Sequence, residues 1–347
     1  MKLLARPSVR AWLVSRAAVL ALMALATWLQ VRHGFGRSPV RPDGSGFFAW
    51  DGAWYREIAE HAYDRDEALR FFPLYPLLSL TGAGLVVVAN LAALAYAEGL
   101  ARLTALELGD RAGERVPWLA LLNPASFVLV IAYAEAPAAA LAVWCLYAAR
   151  RGRWGHAGWL AFAAGLTRPF GLLLALPLAV EAWRAPSVRR AVAAAAAPAG
   201  CAAYLLWCAL ARGDALAPFR VQQRGDLRGG VLVWPGPAAA RAWRALLELG
   251  PWNLALRLVL VPAFVALLVV AARRLPASYT AYAAAILLLA LGTPRWASFE
   301  RYALTAFPLL MAASSLRSRL GTVTTRAASF LGLGVYAILA FSNRYVP

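Results

Sequence analysis

Apolar runs near the length needed to cross a bilayer recur along nearly the whole 347-residue chain, each separated from the next by a short charged or Pro/Gly-containing stretch. No soluble domain of any size is left over, so lipid is the main solvent. The balance of 62% hydrophobic to 15% charged residues agrees with this, since soluble domains carry about 25% charged residues. A net charge of +18 would suit nucleic acid in a soluble protein, but these arginines lie in short clusters between apolar runs. They read as topology signals, and no nucleic-acid partner is expected. Lys2 is the only lysine among 35 basic residues, a bias that a GC-rich genome produces and that suggests a bacterial source.

The runs predict about eleven membrane segments, near 11–31, 76–106, 116–132, 134–149, 155–167, 169–183, 191–211, 253–272, 276–292, 303–316 and 327–342. The positive-inside rule tests this count. With the N-terminus inside, every inner connection is basic: Lys2, Arg6 and Arg10; Arg111 and Arg115; Arg150, Arg151 and Arg153; Arg184, Arg189 and Arg190; Arg273 and Arg274; Arg317, Arg319 and Arg326. The outer side then receives the long loop 32–75, the turns at Tyr133 and Arg168, a second loop 213–252, the segment 293–302 and the C-terminal residues. Reading 155–167 and 169–183 as two segments keeps the later arginines inside. Ala11–Val31 is too long for a signal peptide and reads as a retained anchor. The expectation is one all-helical, multi-pass domain over 1–347, in the cell membrane, with its N-terminus cytoplasmic.

Seven of the 17 acidic residues crowd the first outer loop between Asp43 and Glu67. There the stretch Trp50-Asp51-Gly52-Ala53-Trp54-Tyr55 places Asp51, Trp54/Tyr55 and Ile58 on one face of a helix, with Arg56, Glu57 and Glu60 turned elsewhere. The apolar face is expected to lie on the bilayer and lift Asp51 to its surface. Asp51 can cap that helix or act as a general base on an acceptor hydroxyl. The two roles are compatible. Arg70-Phe71-Phe72-Pro73-Leu74-Tyr75-Pro76 then re-enters the membrane, its aromatics suited to the interfacial belt and its prolines to a helix start.

Glu135, after Tyr133-Ala134, stands at a predicted helix start, where a carboxylate favours the positive end of the helix. A charge there also calls for a partner. Arg168 lies in about thirty otherwise uncharged residues and requires a counter-ion, either a phosphate that matches its planar fork or Glu135. Arg295-Trp296-Ala297-Ser298-Phe299-Glu300-Arg301-Tyr302 supplies two more arginines beside aromatics, one of them able to pair with Glu300. His33, His61 and His156 have no metal-site spacing, and Cys145, Cys201 and Cys208 read as buried thiols.

On these residues the chain resembles the PIG-V-like mannosyltransferases, within the GT-C membrane glycosyltransferases. The matching stretches are Trp50 to Tyr55 with Ile58-Ala59, Phe71 to Pro76, Tyr133-Ala134-Glu135, Thr167-Arg168-Pro169, and Arg301-Tyr302 followed by Phe307-Pro308. They run in family order over most of the chain. The resemblance implies a polyprenyl- or dolichyl-phosphate mannose donor, inverting transfer on the extracytoplasmic face, and Asp51 as the essential acid. The site expected on these grounds has Asp51 as catalytic base, and Trp50, Trp54, Tyr55, Phe72, Tyr75, Tyr133, Glu135, Arg168, Arg295, Arg301 and Tyr302 around the substrates. The partners are a polyprenyl-phosphate sugar, a lipid or glycan acceptor, and membrane lipids. No cofactor is expected, and a divalent metal is not required because arginines can hold a single phosphate. A transporter or flippase for a polyprenyl-linked lipid would instead need charge near the bilayer midplane, where Glu98 is the main candidate. A non-catalytic membrane subunit is a third reading.

Overall fold

The protein is described by a computed structural model covering residues 4–38, 44–224, 233–249, 252–293, 296, 298–316 and 319–345. Among these residues the chain is helical and forms no strand. Helix α1 (Pro7–His33) leads through a 3-10 turn at Gly46–Phe48 to α2 (Asp51–His61), and a second turn at Asp66–Arg70 leads to α3 (Leu74–Ser79) and α4 (Gly82–Leu108). Then come α5 (Asp110–Leu121), α6 (Glu135–Arg150), α7 (Trp154–Thr167), α8 (Ala175–Arg184) and α9 (Val188–Arg212). The order continues with α10 (Ala217–Gln223), α11 (Pro235–Leu249), α12 (Trp252–Arg274), α13 (Ala277–Leu291), α14 (Phe299–Thr305), α15 (Phe307–Ser314) and α16 (Arg319–Phe341). The second outer loop of the sequence reading thus carries α10 and α11.

Local signals set the ends of the long helices. The Thr81 hydroxyl accepts from the Gly84 N–H at 3.0 Å to cap α4, and Ser187 does the same for α9. Gly34 (φ +61°) ends α1. Helices α1, α4 and α9 are long and apolar enough to cross a bilayer by length and composition. Their outward side chains, among them Leu13, Leu20, Trp28, Val87, Leu91, Leu206 and Leu210, are exposed. In water such a surface would drive aggregation, and in lipid it is the solvated face.

Several expected segments are broken. The run 116–132 is no single span: α5 ends at Leu121, ahead of Asn123-Pro124, and the chain continues through a 3-10 turn at Ser126–Leu129 to Tyr133. Residues 125–134 are buried throughout, as non-helical backbone at membrane depth must be. Its polar groups are met from elsewhere. Arg16 Nη2 donates to the Leu129 carbonyl at 2.8 Å, Asn90 Nδ2 to that of Val130 at 2.9 Å, and the Ala132 N–H donates to the Phe47 carbonyl at 2.8 Å. The run 303–316 divides at Ala306, before Pro308 at the start of α15. Likewise 76–106 divides between α3 and α4 at Leu80, whose φ is +55°. The boundary expected between 155–167 and 169–183, by contrast, falls where it was placed, at Arg168-Pro169 between α7 and a 3-10 turn at Pro169–Leu174.

Helices α7 and α9 pack through small residues. A Cβ on Gly165 would run into the Ala197 carbonyl oxygen, and one on Gly200 into that of Phe162. In lipid, where burial gives no hydrophobic gain, such close approach is what holds helices together.

Charge is sorted to the two ends of the bundle. Helix α4, 27 residues long, reaches about 40 Å at 1.5 Å per residue. Near its C-terminal end Glu98 pairs with Arg6 and Arg102, and Glu107 with Arg150 at 2.6 Å. Its first turn lies instead beside Arg56 and Glu60 of α2. Helix α6, 16 residues from Glu135 to Arg150, covers about 24 Å of that length at 1.5 Å per residue, with its carboxylate at the Asp51 end and its arginine at the other. The arginine-rich connections thus lie at one end and the Asp51 helix at the other.

Candidate active site

Asp51 is the first residue of α2, and the cap position is held by Trp50 with φ +58°. That conformation is rare for a residue with a side chain. Trp50 is anchored there by its indole N–H, which donates to the Ala340 carbonyl at 3.1 Å. Gly52 fits the next position because a Cβ would lie 3.3 Å from the Phe47 carbonyl oxygen and 3.4 Å from that of Ala132. The Asp51 N–H donates to the Tyr133 hydroxyl at 3.2 Å. The cap reading of its side chain gives way to another contact. Arg301 Nη1 lies 2.5 Å from Asp51 Oδ2.

Arg301 is 2% exposed and lies on α14. Its Nε approaches Glu135 Oε1 to 3.2 Å, a Coulombic contact without hydrogen-bond geometry. Glu135, 1% exposed, opens α6 and also pairs with Arg168. Of the two counter-ions considered for Arg168, the structure therefore contains the carboxylate. Glu135 Oε2 meets no hydrogen-bond donor among the described residues. Two guanidiniums and two carboxylates compensate each other, which is what makes a buried ionic cluster tolerable. The cluster remains partly open at Asp51 and Arg168, whose side chains are 23% and 13% exposed.

Aromatic rings enclose these charges. The Arg301 guanidinium carbon lies 5.5 Å from the ring centre of Tyr133 and 5.4 Å from that of Tyr302, and Tyr302 packs against Phe170 at 4.6 Å. Tyr55 lies within electrostatic reach of Arg168, Glu135, Asp51 and Arg301. Six expected site residues besides Asp51 therefore converge: Tyr55, Tyr133, Glu135, Arg168, Arg301 and Tyr302.

Other expectations are corrected. The apolar face of α2 does not rest on lipid, since Tyr55 and Ile58 are buried against Phe71, Tyr75, Leu85 and Ala134. Phe72 and Tyr75 are no interfacial belt either. Both are 1% exposed or less, Phe72 packing on Tyr204 and the Tyr75 hydroxyl donating to the Leu85 carbonyl. Trp54 stacks on Phe71 with Arg70 over its ring. Glu300 accepts from Tyr336 at 2.7 Å and Tyr345 at 2.9 Å. Arg295 lies outside the described residues. Glu98, the candidate for transport, is bound by Arg6, Ser8 and Arg102 near the start of α1. Sequence reasoning missed Arg16 and Asn90, which hold the backbone leading to Tyr133. The rule that singled out Arg168, a lone arginine in an apolar run, applied equally to Arg16.

An apolar cavity of about 700 Å³ lies beside the 3-10 turn that follows Arg168, lined by Leu173, Trp234, Pro235, Arg241, Leu288 and Leu289 among others. Among the described residues no three His, Cys, Asp or Glu side chains are grouped to hold a metal ion.

No protein-family model matches the chain, and no curated protein is significantly similar to it. Among solved structures, the crystal structure of ArnT from Cupriavidus metallidurans in the apo state aligns with 97% of this chain and 76% of that one. The TM-score is 0.50 at 14% identity. The chain shares the fold of that structure, an all-helical membrane bundle. The structure of ArnT bound to undecaprenyl phosphate aligns with 96% of this chain and 76% of that one, at a TM-score of 0.47 and 14% identity. At such identity the likeness concerns the path of the chain, a polytopic membrane bundle.

Proposed function

We propose that the chain is a membrane glycosyltransferase that moves a hexosyl residue, mannose by its sequence resemblance, from a polyprenyl-phosphate sugar to a lipid or glycan hydroxyl. Transfer takes place on the extracytoplasmic face of a bacterial membrane, with inversion. The observation that carries this reading is the contact of Asp51 with buried Arg301, with Glu135 and Arg168 beside it. A base, a buried acceptor and two phosphate-matching guanidiniums are the groups such a transfer needs.

In the reaction the donor phosphate draws Arg301 and Arg168 toward itself and loosens the hold on Asp51. The Asp51 carboxylate takes the proton of the acceptor hydroxyl as that oxygen bonds to the anomeric carbon. The bond from that carbon to the phosphate oxygen breaks, and the departing lipid phosphate carries its new negative charge onto the arginines. Glu135 Oε2, which meets no donor among the described residues, accepts from a sugar hydroxyl. The apolar cavity past Arg168 suits a prenyl chain. Two arginines neutralise one phosphate, so no divalent metal enters this scheme.

The test is to incubate membranes containing the protein with radiolabelled polyprenyl-phosphate mannose and, in parallel, polyprenyl-phosphate glucose. Label should move from donor to a lipid or glycan fraction with the wild type and not with Asp51→Asn. Transfer of glucose alone would remove the mannose assignment, and no transfer of either would overturn the donor class.

A further inference from the structure

At the arginine-rich end of the bundle, away from Asp51, α1 and α5 border a cavity of about 320 Å³ lined by Pro7, Arg10, Arg111, Glu114, Arg115 and Trp118. Helix α5 supplies most of it. Arg111, Glu114, Arg115 and Trp118 recur at helical spacing on one face, while Ala112, Gly113, Val116 and Pro117 are buried on the other. Gly113 lets that buried face approach α4, where a Cβ would come within 2.8 Å of the Ala101 carbonyl oxygen. The cavity walls are therefore packed helices.

The arginines here differ from their neighbours in what they bind. Arg6, Arg102 and Arg150 at the same end are paired with Glu98 or Glu107. Arg10 donates to the Leu4 carbonyl at 3.1 Å and Arg115 to that of Leu316 at 3.4 Å, both neutral acceptors. Among the described residues no ion pair joins Arg10, Arg111 or Arg115 to a carboxylate. Three guanidiniums against the one carboxylate of Glu114 leave a surplus of two positive charges around the cavity. Its volume is that of roughly ten water molecules at about 30 Å³ each, room for a phosphodiester headgroup.

The surface beside the cavity turns from cationic to apolar within one helical turn. Leu13 and Val14, three and four residues beyond Arg10 and hence on its face, are 45% and 43% exposed. A free anion has no use for that ridge, whereas a lipid has both a phosphate and acyl chains. We propose that this cavity binds the headgroup of an anionic phospholipid, with its acyl chains along Leu13 and Val14. Basic pockets between membrane helices recognise such headgroups through charge and hydrogen bonds. The site stands apart from the sugar-transfer cluster, and its assignment does not depend on that reaction.

The test uses the purified full chain in neutral detergent, supplemented with phosphatidylglycerol, phosphatidylcholine or inorganic phosphate at equal concentration. Thermal unfolding and native mass spectrometry are the readouts. Phosphatidylglycerol should raise the unfolding midpoint and remain bound in the mass spectrum, and the other two should do neither. The double variant Arg10→Gln/Arg111→Gln changes exposed side chains and should lose both effects. Arg153→Gln/Arg189→Gln, exposed at the same end but outside the cavity, should keep them. A double variant that responds like wild type would overturn the assignment. So would an equal shift with phosphatidylcholine or with inorganic phosphate, which needs no variant to measure.

Discussion

Arg301 Nη1 lies 2.5 Å from Asp51 Oδ2, across 250 residues of sequence. The two partners are unequally covered, Arg301 at 2% exposed and Asp51 at 23%. A guanidinium held between Asp51 and Glu135 has two carboxylates to shift between when a phosphate arrives. Asp51 is the one that faces the opening.

Asp51→Asn should accumulate at near-normal levels, because Arg301 keeps Glu135 as a charged partner and the amide oxygen can still accept from it. A general base contributes about 10² to 10⁴-fold to rate, and transfer per amount of folded protein should fall by that order. Glu57, paired with Arg65, and Glu60, paired with Arg56, serve as controls whose amide variants keep substantial activity. Near-normal transfer by Asp51→Asn would move the base to another carboxylate.

The two arginines should respond differently to substitution. Arg301→Gln leaves two carboxylates facing one another in a buried site, and breaking a buried pair costs about 3 to 5 kcal/mol, so folded protein should be lost along with activity. Restoring balance with Arg301→Gln/Glu135→Gln should recover much of the folded yield while transfer stays absent. Arg168→Lys keeps the charge but not the planar fork. It should fold and lose donor affinity and turnover, read as separate changes in KM and kcat.

Asn90→Ala removes a donor to the Val130 carbonyl and an acceptor for Arg16. A buried group left without its partner costs about 1 to 3 kcal/mol. The denaturation midpoint should drop accordingly. Turnover should fall too, because the irregular stretch 122–134 carries Tyr133 to the Asp51 backbone. An Asn90→Ala protein with unchanged stability would mean that water or a neighbour replaces these bonds.

A cysteine introduced at Asp66 should react with a membrane-impermeant thiol reagent in intact cells, and one at Arg151 should not. The native thiols Cys145, Cys201 and Cys208 are buried, so the added group dominates the signal. Labelling at Arg151 alone would invert the orientation.

Much of the architecture was legible because a bilayer imposes one rule on every spanning segment. Apolar length located α1, α6, α9, α12 and α13 to within a few residues, and arginine clustering marked one end of the bundle without reference to any contact. Asp51, Glu135, Arg168 and Arg301 stood out for a related reason, since a charge beside or inside an apolar run needs a partner. Identifying those partners was beyond the sequence. Spacing along the chain says nothing about which carboxylate an arginine meets: it left open which of Arg295 and Arg301 pairs with Glu300, and it gave no sign that Arg301 is bound to Asp51 and Glu135.

Hydropathy also read straight through the breaks in 116–132 and 303–316. Whether an apolar stretch is a lipid-facing helix or an irregular segment buried in protein depends on who satisfies its backbone. In this chain Arg16 and Asn90, from two other helices, do so for the first of these stretches. The apolar face of α2 behaved likewise, since apolar residues mark a need for burial and do not say whether lipid or protein provides it. Composition and pattern thus determined that the chain lives in a membrane and which residues are out of place there. Tertiary structure decided their pairing, because the energy of a buried charge depends on the few ångströms around it and not on its position in the chain.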